Sequence, residues 1–313
     1  MGTAMKFLNI SSMRTVLFVC IGTTLLWVGA DATVHVVATT TDLGDIARTI
    51  GGSRVRVETI CKGAQDPHYV QARPSYMVKL SRADLLVSVG LELEVGWLPL
   101  LVQGSRNPDI NPGRSGYLDA STAIIPIDLP QGQIDRSHGD VHPFGNPHYW
   151  LDPENAKSIA GVIADRLSSL DPEGAHSYRQ NLQAFGERMD KSLGEWAEMM
   201  APYRGTKVVS YHRTFNYFLS RFGLVAVGFI EERPGIPPAA AHLARLIQRM
   251  QSDSVHVIFH EPYFSRATSD LVGRRTGARV LVLPTSVGGT SSVESYDQLI
   301  DHLVRSFVAA QSE

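Results

Sequence analysis

The sequence predicts an α/β protein of two lobes joined by a long helix. Two patterns carry that expectation. Short apolar stretches of strand length alternate with helical segments in the first and last thirds of the chain, the pattern of parallel α/β sheets. Between them, residues 153–202 keep helical periodicity almost throughout. A chain of 313 residues also has room for two cores, since about 100–200 residues per domain is usual.

The first 32 residues stand apart. Arg14 precedes an apolar run over residues 16–28, and Ala30-Asp31-Ala32 follows with small residues where a signal peptidase reads. Residues 1–32 therefore read as a cleavable signal peptide. Its positive charge comes from Lys6 or Arg14, depending on whether Met1, Met5 or Met13 is the start. The run is shorter than the ~20 residues of a spanning helix. Leu17-Phe18-Val19-Cys20 has the outline of a lipoprotein site, but bulky Phe18 and Val19 and the apolar stretch beyond argue against one. Cleavage after Ala32 removes Lys6, Arg14 and Asp31, leaving 27 basic and 30 acidic residues and a net charge of -3. That balance implies no strong pull toward nucleic acid or anionic lipid. It also leaves Cys61 as the one cysteine, so the exported protein rests on its packed core rather than on a disulfide. With no second long apolar segment, the mature protein is expected to be soluble.

The N-terminal α/β lobe is expected over 33–171. Residues 34–40 form an apolar strand, and Asp42 and Asp45 follow at a helix start, acids near the positive helix end. Residues 54–60 alternate as a second strand, and 85–90 make a third that stops at Gly90. Ile159, Val162, Ile163, Leu167 and Leu170 then mark one helix, and Asp171-Pro172-Glu173-Gly174 breaks it. Tyr178, Leu182, Phe185, Met189, Leu193 and Trp196 mark the next. This second helix, the linker assigned to 172–202, is about 28 residues or ~42 Å long, enough for a spine between lobes. The C-terminal lobe, 203–313, has strands at 206–210, 225–229, 255–259 and 279–283 and an amphipathic helix at 295–310. Open α/β sheets bind ligands beyond the carboxyl ends of their strands, which puts the site in the interlobe cleft.

Three histidines fall in matched settings there. His68 ends Asp66-Pro67-His68, His148 ends Asn146-Pro147-His148, and His212 follows the strand ending at Ser210. All three are loop residues able to face one cleft, and the prolines stiffen two of the approaches. Imidazoles gathered from distant parts of an exported chain suit a borderline metal such as zinc.

These motifs resemble the metal-binding solute-binding proteins of zinc and manganese ABC importers. Asp66-Pro67-His68 with Pro74-Ser75, Ser81-Arg82-Ala83-Asp84-Leu85, Gly90-Leu91-Glu92-Leu93-Glu94 and Trp97 is similar to the family's first-lobe signature. Asn146-Pro147-His148-Tyr149-Trp150-Leu151-Asp152-Pro153 resembles its second histidine motif. Tyr211-His212-Arg213-Thr214-Phe215 resembles the third, and Arg233-Pro234-Gly235-Ile236-Pro237-Pro238 a segment after it. The match runs through nearly all of the mature chain. It implies two Rossmann-like lobes, a rigid linker helix, an interlobe metal site, and His68, His148 and His212 as ligands. Manganese-type members usually carry a carboxylate at the third position, so His212 favours Zn2+ over Mn2+.

The fourth ligand departs from the family. Relatives keep an aspartate after the last strand, whereas this chain reads Leu283-Pro284-Thr285-Ser286-Val287-Gly288-Gly289. Glu261, a water and a mobile residue are the alternatives, with Glu261 preferred; its other possible role is to orient a ligand histidine. His260 is the poorer choice, because adjacent strand residues point to opposite sides. The short loop with His138, Asp140 and His142 could form a transient second metal site, or be a solvated or transporter-facing loop. Asp45 reads as a helix-start residue, and Arg213 and Glu232 as cleft or interlobe ion-pair partners.

The expected function is capture of Zn2+ in the periplasm and delivery to a membrane ABC permease by a monomer that is not an enzyme and binds no nucleic acid. Affinity for zinc is expected to fall as pH drops below about 6.5, where protons compete for unperturbed imidazoles. A manganese or iron carrier is the nearer alternative. A secreted zinc hydrolase with three histidines and a water is the more distant one.

Overall fold

Two four-stranded parallel sheets organise the chain, seen in a computed structural model that describes residues 1–2, 33–130 and 142–311. The first contains β1 (Val34–Ala38), β2 (Val55–Thr59), β3 (Leu85–Ser88) and β4 (Tyr117–Asp119) in the order β2-β1-β3-β4. Parallel neighbours need crossovers, and α1 (Thr41–Gly51), α2 (Pro74–Leu80) and α3 (Leu98–Ser105) supply them. Two long helices follow, α4 (Pro153–Leu170) and α5 (Ala175–Met200). The second sheet contains β5 (Lys207–Ser210), β6 (Val225–Phe229), β7 (Val257–His260) and β8 (Arg279–Val282) in the order β6-β5-β7-β8. Its crossovers are α6 (Asn216–Phe222), α7 (Ala240–Ser252) and α8 (Ala267–Thr276), and α9 (Tyr296–Gln311) ends the fold. Numbered from its own first strand, each sheet has the same order, so the lobes repeat one topology.

The expected strands and the two central helices are all present. β4 was not anticipated, because three residues are too few to show a periodic pattern. The central strands β3 and β7 are buried along their whole lengths, as helices on both faces require. Among the described residues no helix is long and apolar enough to cross a membrane. Residues 3–32 of the proposed signal peptide lie outside the described residues.

One apolar core runs through both sheets. Val36 and Leu85 of the first, Ile159 and Leu167 of α4, and Phe259, Leu299 and Phe307 from the second lobe belong to one cluster. On α5, Tyr178, Phe185, Met189, Trp196 and Met200 face it, a spacing of seven and four that keeps one stripe inward over 26 residues. Polar ties hold the ends of this spine. The Arg54 guanidinium donates to both Asp171 oxygens (2.7 and 3.0 Å), and Tyr178 Oη donates to Asp171 at 2.7 Å. That company holds the Asp171 carboxyl down at about 2. Halfway along it Arg188 pairs with Asp297 at 2.7 Å, and nearer the far end Trp196 Nε1 donates to Asp301 at 3.2 Å.

Backbone-level contacts also join the lobes. Trp150 Nε1 donates to the Thr285 carbonyl at 2.8 Å, and the Val287 N–H donates to Asp42 Oδ1 at 2.9 Å. A Cβ on Gly63 would overlap the Val287 carbonyl oxygen, so the first-lobe loop meets the 284–289 turn backbone to backbone. Asp45 reaches beyond its own helix: besides a 3.9 Å pairing with Arg48, its Oδ2 accepts the Tyr296 N–H at 2.8 Å and ties α1 to α9.

Candidate metal centre

His68, His148 and His212 converge. Each offers one ring nitrogen, and these three atoms all lie within 4.8 Å of one another. Ring centroids are 5.2 Å apart for His68 and His148, 5.6 Å for His68 and His212, and 5.5 Å for His148 and His212, a nearly equilateral triangle. His68 comes from the loop beyond β2, His212 lies just past β5, and His148 opens the 3-10 turn Tyr149–Leu151 ahead of α4. A cavity of about 370 Å³, lined by His142, His148, His212, Arg213 and Glu232 among others, opens beside the triangle.

The Asx-Pro-His spelling has a local physical reason. Asp66 Oδ1 accepts the His68 backbone N–H at 3.0 Å and lies 2.7 Å from His68 Nδ1. Asn146 Oδ1 accepts the His148 backbone N–H at 3.0 Å and lies 2.9 Å from Nδ1 of that ring. One side-chain oxygen thus closes the turn and holds the imidazole, while proline, which has no N–H of its own to satisfy, stiffens the bridge. At the third histidine a distant residue does this work: Glu231 Oε2 is 2.7 Å from His212 Nδ1, and its Oε1 accepts the Gly235 N–H at 3.0 Å. An oxygen on Nδ1 makes that nitrogen the protonated one and leaves Nε2 with a bare lone pair. Fittingly, His148 Nε2 is buried and has no hydrogen-bond partner.

Burial sets the charge state. It pushes His148 well below the usual imidazole range and lowers His212, and the neighbouring histidines push the same way. Neutral rings with aligned lone pairs are what a divalent metal needs. Protons therefore compete less well for His148 and His212 than for free imidazoles.

Among the described residues the converging group has three members, and Glu261 is not one of them. It sits just past β7, as read, but its carboxylate is wholly buried with Thr214 as its side-chain hydrogen-bonding neighbour, and burial pushes the group up to about 8. His260 faces away as expected, with Nδ1 2.9 Å from Ser269 Oγ and Nε2 3.2 Å from the Phe264 carbonyl oxygen. Glu232 stays within its own lobe beside His242 and Arg245, and the Arg213 guanidinium lies 4.4 Å over the Phe229 ring. His138 lies outside the described residues. His142 does not stand off in a solvated loop: its Nε2 is 3.2 Å from His68 Nε2, beside the triangle. Glu231 escaped the sequence reading, because nothing local links it to a histidine 19 residues away.

Three imidazoles held by outer oxygens at the carboxyl ends of two parallel sheets define a metal-binding receptor of the two-lobed α/β type. Residues 36–310 match the family model described as ZnuA, the periplasmic component A of the zinc-uptake complex, and the chain belongs to that family. It is 26% identical over 300 residues to the high-affinity zinc uptake system protein ZnuA of Yersinia pestis, covering 89% of this chain and 91% of that one. It is 29% identical over 234 residues to the manganese ABC transporter substrate-binding lipoprotein PsaA of Streptococcus anginosus, covering 72% and 71%. A zinc-bound crystal structure of a 138–173 deletion mutant of ZnuA superposes with a TM-score of 0.74 at 25% identity, over 89% of this chain and 98% of that one.

Proposed function

We propose that this chain is the extracytoplasmic receptor of a zinc importer, binding Zn2+ through Nε2 of His68, His148 and His212 and handing it to a membrane ABC permease. The observation that carries the reading is the shared protonation pattern. All three Nδ1 atoms sit on an oxygen 2.7–2.9 Å away, so three Nε2 lone pairs are left for one ion. Nitrogen-only donors in this number suit zinc, whereas manganese favours oxygen. The chemistry is coordination without turnover by a monomer with no role for nucleic acid. Residues 1–32 act as the export signal, 33–171 and 203–313 as the lobes, and 172–202 as the linker.

Competition titration of the mature protein with Zn2+ and Mn2+ tests this directly: zinc should win, and a manganese preference would overturn the assignment. The same zinc-loaded protein should leave ester and peptide substrates intact; turnover abolished by a chelator would make it a hydrolase instead.

A further inference from the structure

We propose that His142 supplies the fourth ligand, making the centre a four-imidazole site closed from the segment just ahead of Asn146. The inference rests on the zinc-receptor reading above and adds a donor to it. His142 Nε2 stands 3.2 Å from His68 Nε2. Two donors of a zinc tetrahedron with bonds of about 2.0–2.1 Å are about 3.3 Å apart. Its ring centroid is 5.3 Å from that of His68, inside the range spanned by the triangle itself.

The proton count points the same way. Asp66 holds the Nδ1 proton of His68, so His68 Nε2 has only a lone pair to offer. The His142 ring also hydrogen-bonds the Leu91 backbone. With Nε2 turned to His68, the nitrogen left for that bond is Nδ1, which again protonates the outer nitrogen and bares the inner one. Two bare lone pairs 3.2 Å apart repel unless a cation lies between them. His142 thus repeats the arrangement of the other three rings, oxygen outside and lone pair inside.

The backbone that receives it is held in an uncommon form. Leu91 and Glu92 both have positive φ, 51° and 64°, a conformation that costs non-glycine residues energy and tends to persist where function needs it. Here it falls on the residue that bonds the His142 ring. His142 and Glu261 both lie outside the group whose ligand atoms are all within 4.8 Å of one another, but only His142 brings a nitrogen against one of its rings. A fourth nitrogen in place of the family's carboxylate also sharpens the bias toward zinc over manganese.

The test compares wild type, His142→Ala and Glu261→Ala by chelator-competition titration with Zn2+ and by visible spectra of the Co2+-loaded proteins. His142→Ala should still bind zinc but at least ~10-fold more weakly, with an altered cobalt spectrum, while Glu261→Ala should match wild type in both. If His142→Ala matches wild type, or if the loss falls on Glu261→Ala, the proposal is overturned and the three-histidine receptor stands. If wild type binds no zinc, the receptor reading itself fails. Should His142→Ala misfold, nitrogen NMR of the wild type decides: zinc should shift the His142 Nε2 resonance along with those of the other three rings, and an unmoved resonance refutes the assignment.

Discussion

Replacing Glu231 with glutamine removes one charge from behind the proposed ligand His212 and little else. The carboxylate is 5% exposed, and its oxygen lies 2.7 Å from His212 Nδ1. Adding the ring and a Zn–N bond puts it roughly 6.5 Å from the metal position. A single negative charge there attracts a divalent ion by about 5 kcal/mol at an effective dielectric near 20. That is an upper bound, because in the metal-free protein the same carboxylate already stabilises the ring N–H it holds. Losses on removing such outer partners run from 10- to 100-fold in affinity, about 1.4–2.7 kcal/mol. Glu231→Gln should fall in that range, since the amide oxygen can still accept from Nδ1 and the ring keeps its place. The assay is competition for Zn2+ against a chromophoric chelator at fixed pH and salt. Affinity within twofold of wild type would refute the idea that an outer carboxylate tunes this site, and would do so most clearly if His212→Ala abolished tight binding in the same assay.

Three further outcomes follow from the fold. Asp42 is wholly buried and keeps its proton up to about 7 against 3.8 when unfolded, so its contribution is full below pH ~4 and drains away as pH rises toward 7. Asp42→Asn should therefore match wild type near pH 4 in urea unfolding and exceed it at pH 9 by as much as roughly 4 kcal/mol; a pH-independent difference would contradict this. Asp171→Ala strips Arg54 of a two-point carboxylate partner and should cost about 3 kcal/mol, read as a lower urea midpoint. Gly63→Ala should force the first-lobe loop away from the Val287 carbonyl and lower the melting temperature by an amount equivalent to about 1–3 kcal/mol, whereas an unchanged melt would show that the two loops give way freely.

What could be read from the sequence was what is encoded locally. Asp66-Pro67-His68 and Asn146-Pro147-His148 are complete three-residue devices, with turn, tether and imidazole side by side, so the spelling reveals the geometry. The long amphipathic stripe of α5 is similarly self-contained. What escaped depends on chain crossings. Glu231 reaches His212 because β6 lies beside β5 in the sheet, and His142 reaches His68 across 74 residues. Neither pairing leaves a periodic or nearest-neighbour trace. Glu261 shows the converse limit: its place after a strand could be read, but a position at a strand end does not say whether the carboxylate joins the histidines, and in the fold it is not among the converging ligand atoms. Asp45 was misread for a similar reason, since a helix-start acid and an interlobe tie look alike until α9 is packed against it.

The core that passes through both sheets has a bearing on how the chain acquires its shape. Val36 and Leu85 near the start are packed in the same apolar cluster as Leu299 and Phe307 near the end. That shared cluster is complete only once the last helix has left the ribosome, although two smaller clusters are each made within a single lobe. The two repeats of one topology are thus joined through contacts between residues far apart in sequence, which favours slow completion of the shared core and exposure to aggregation until α9 docks.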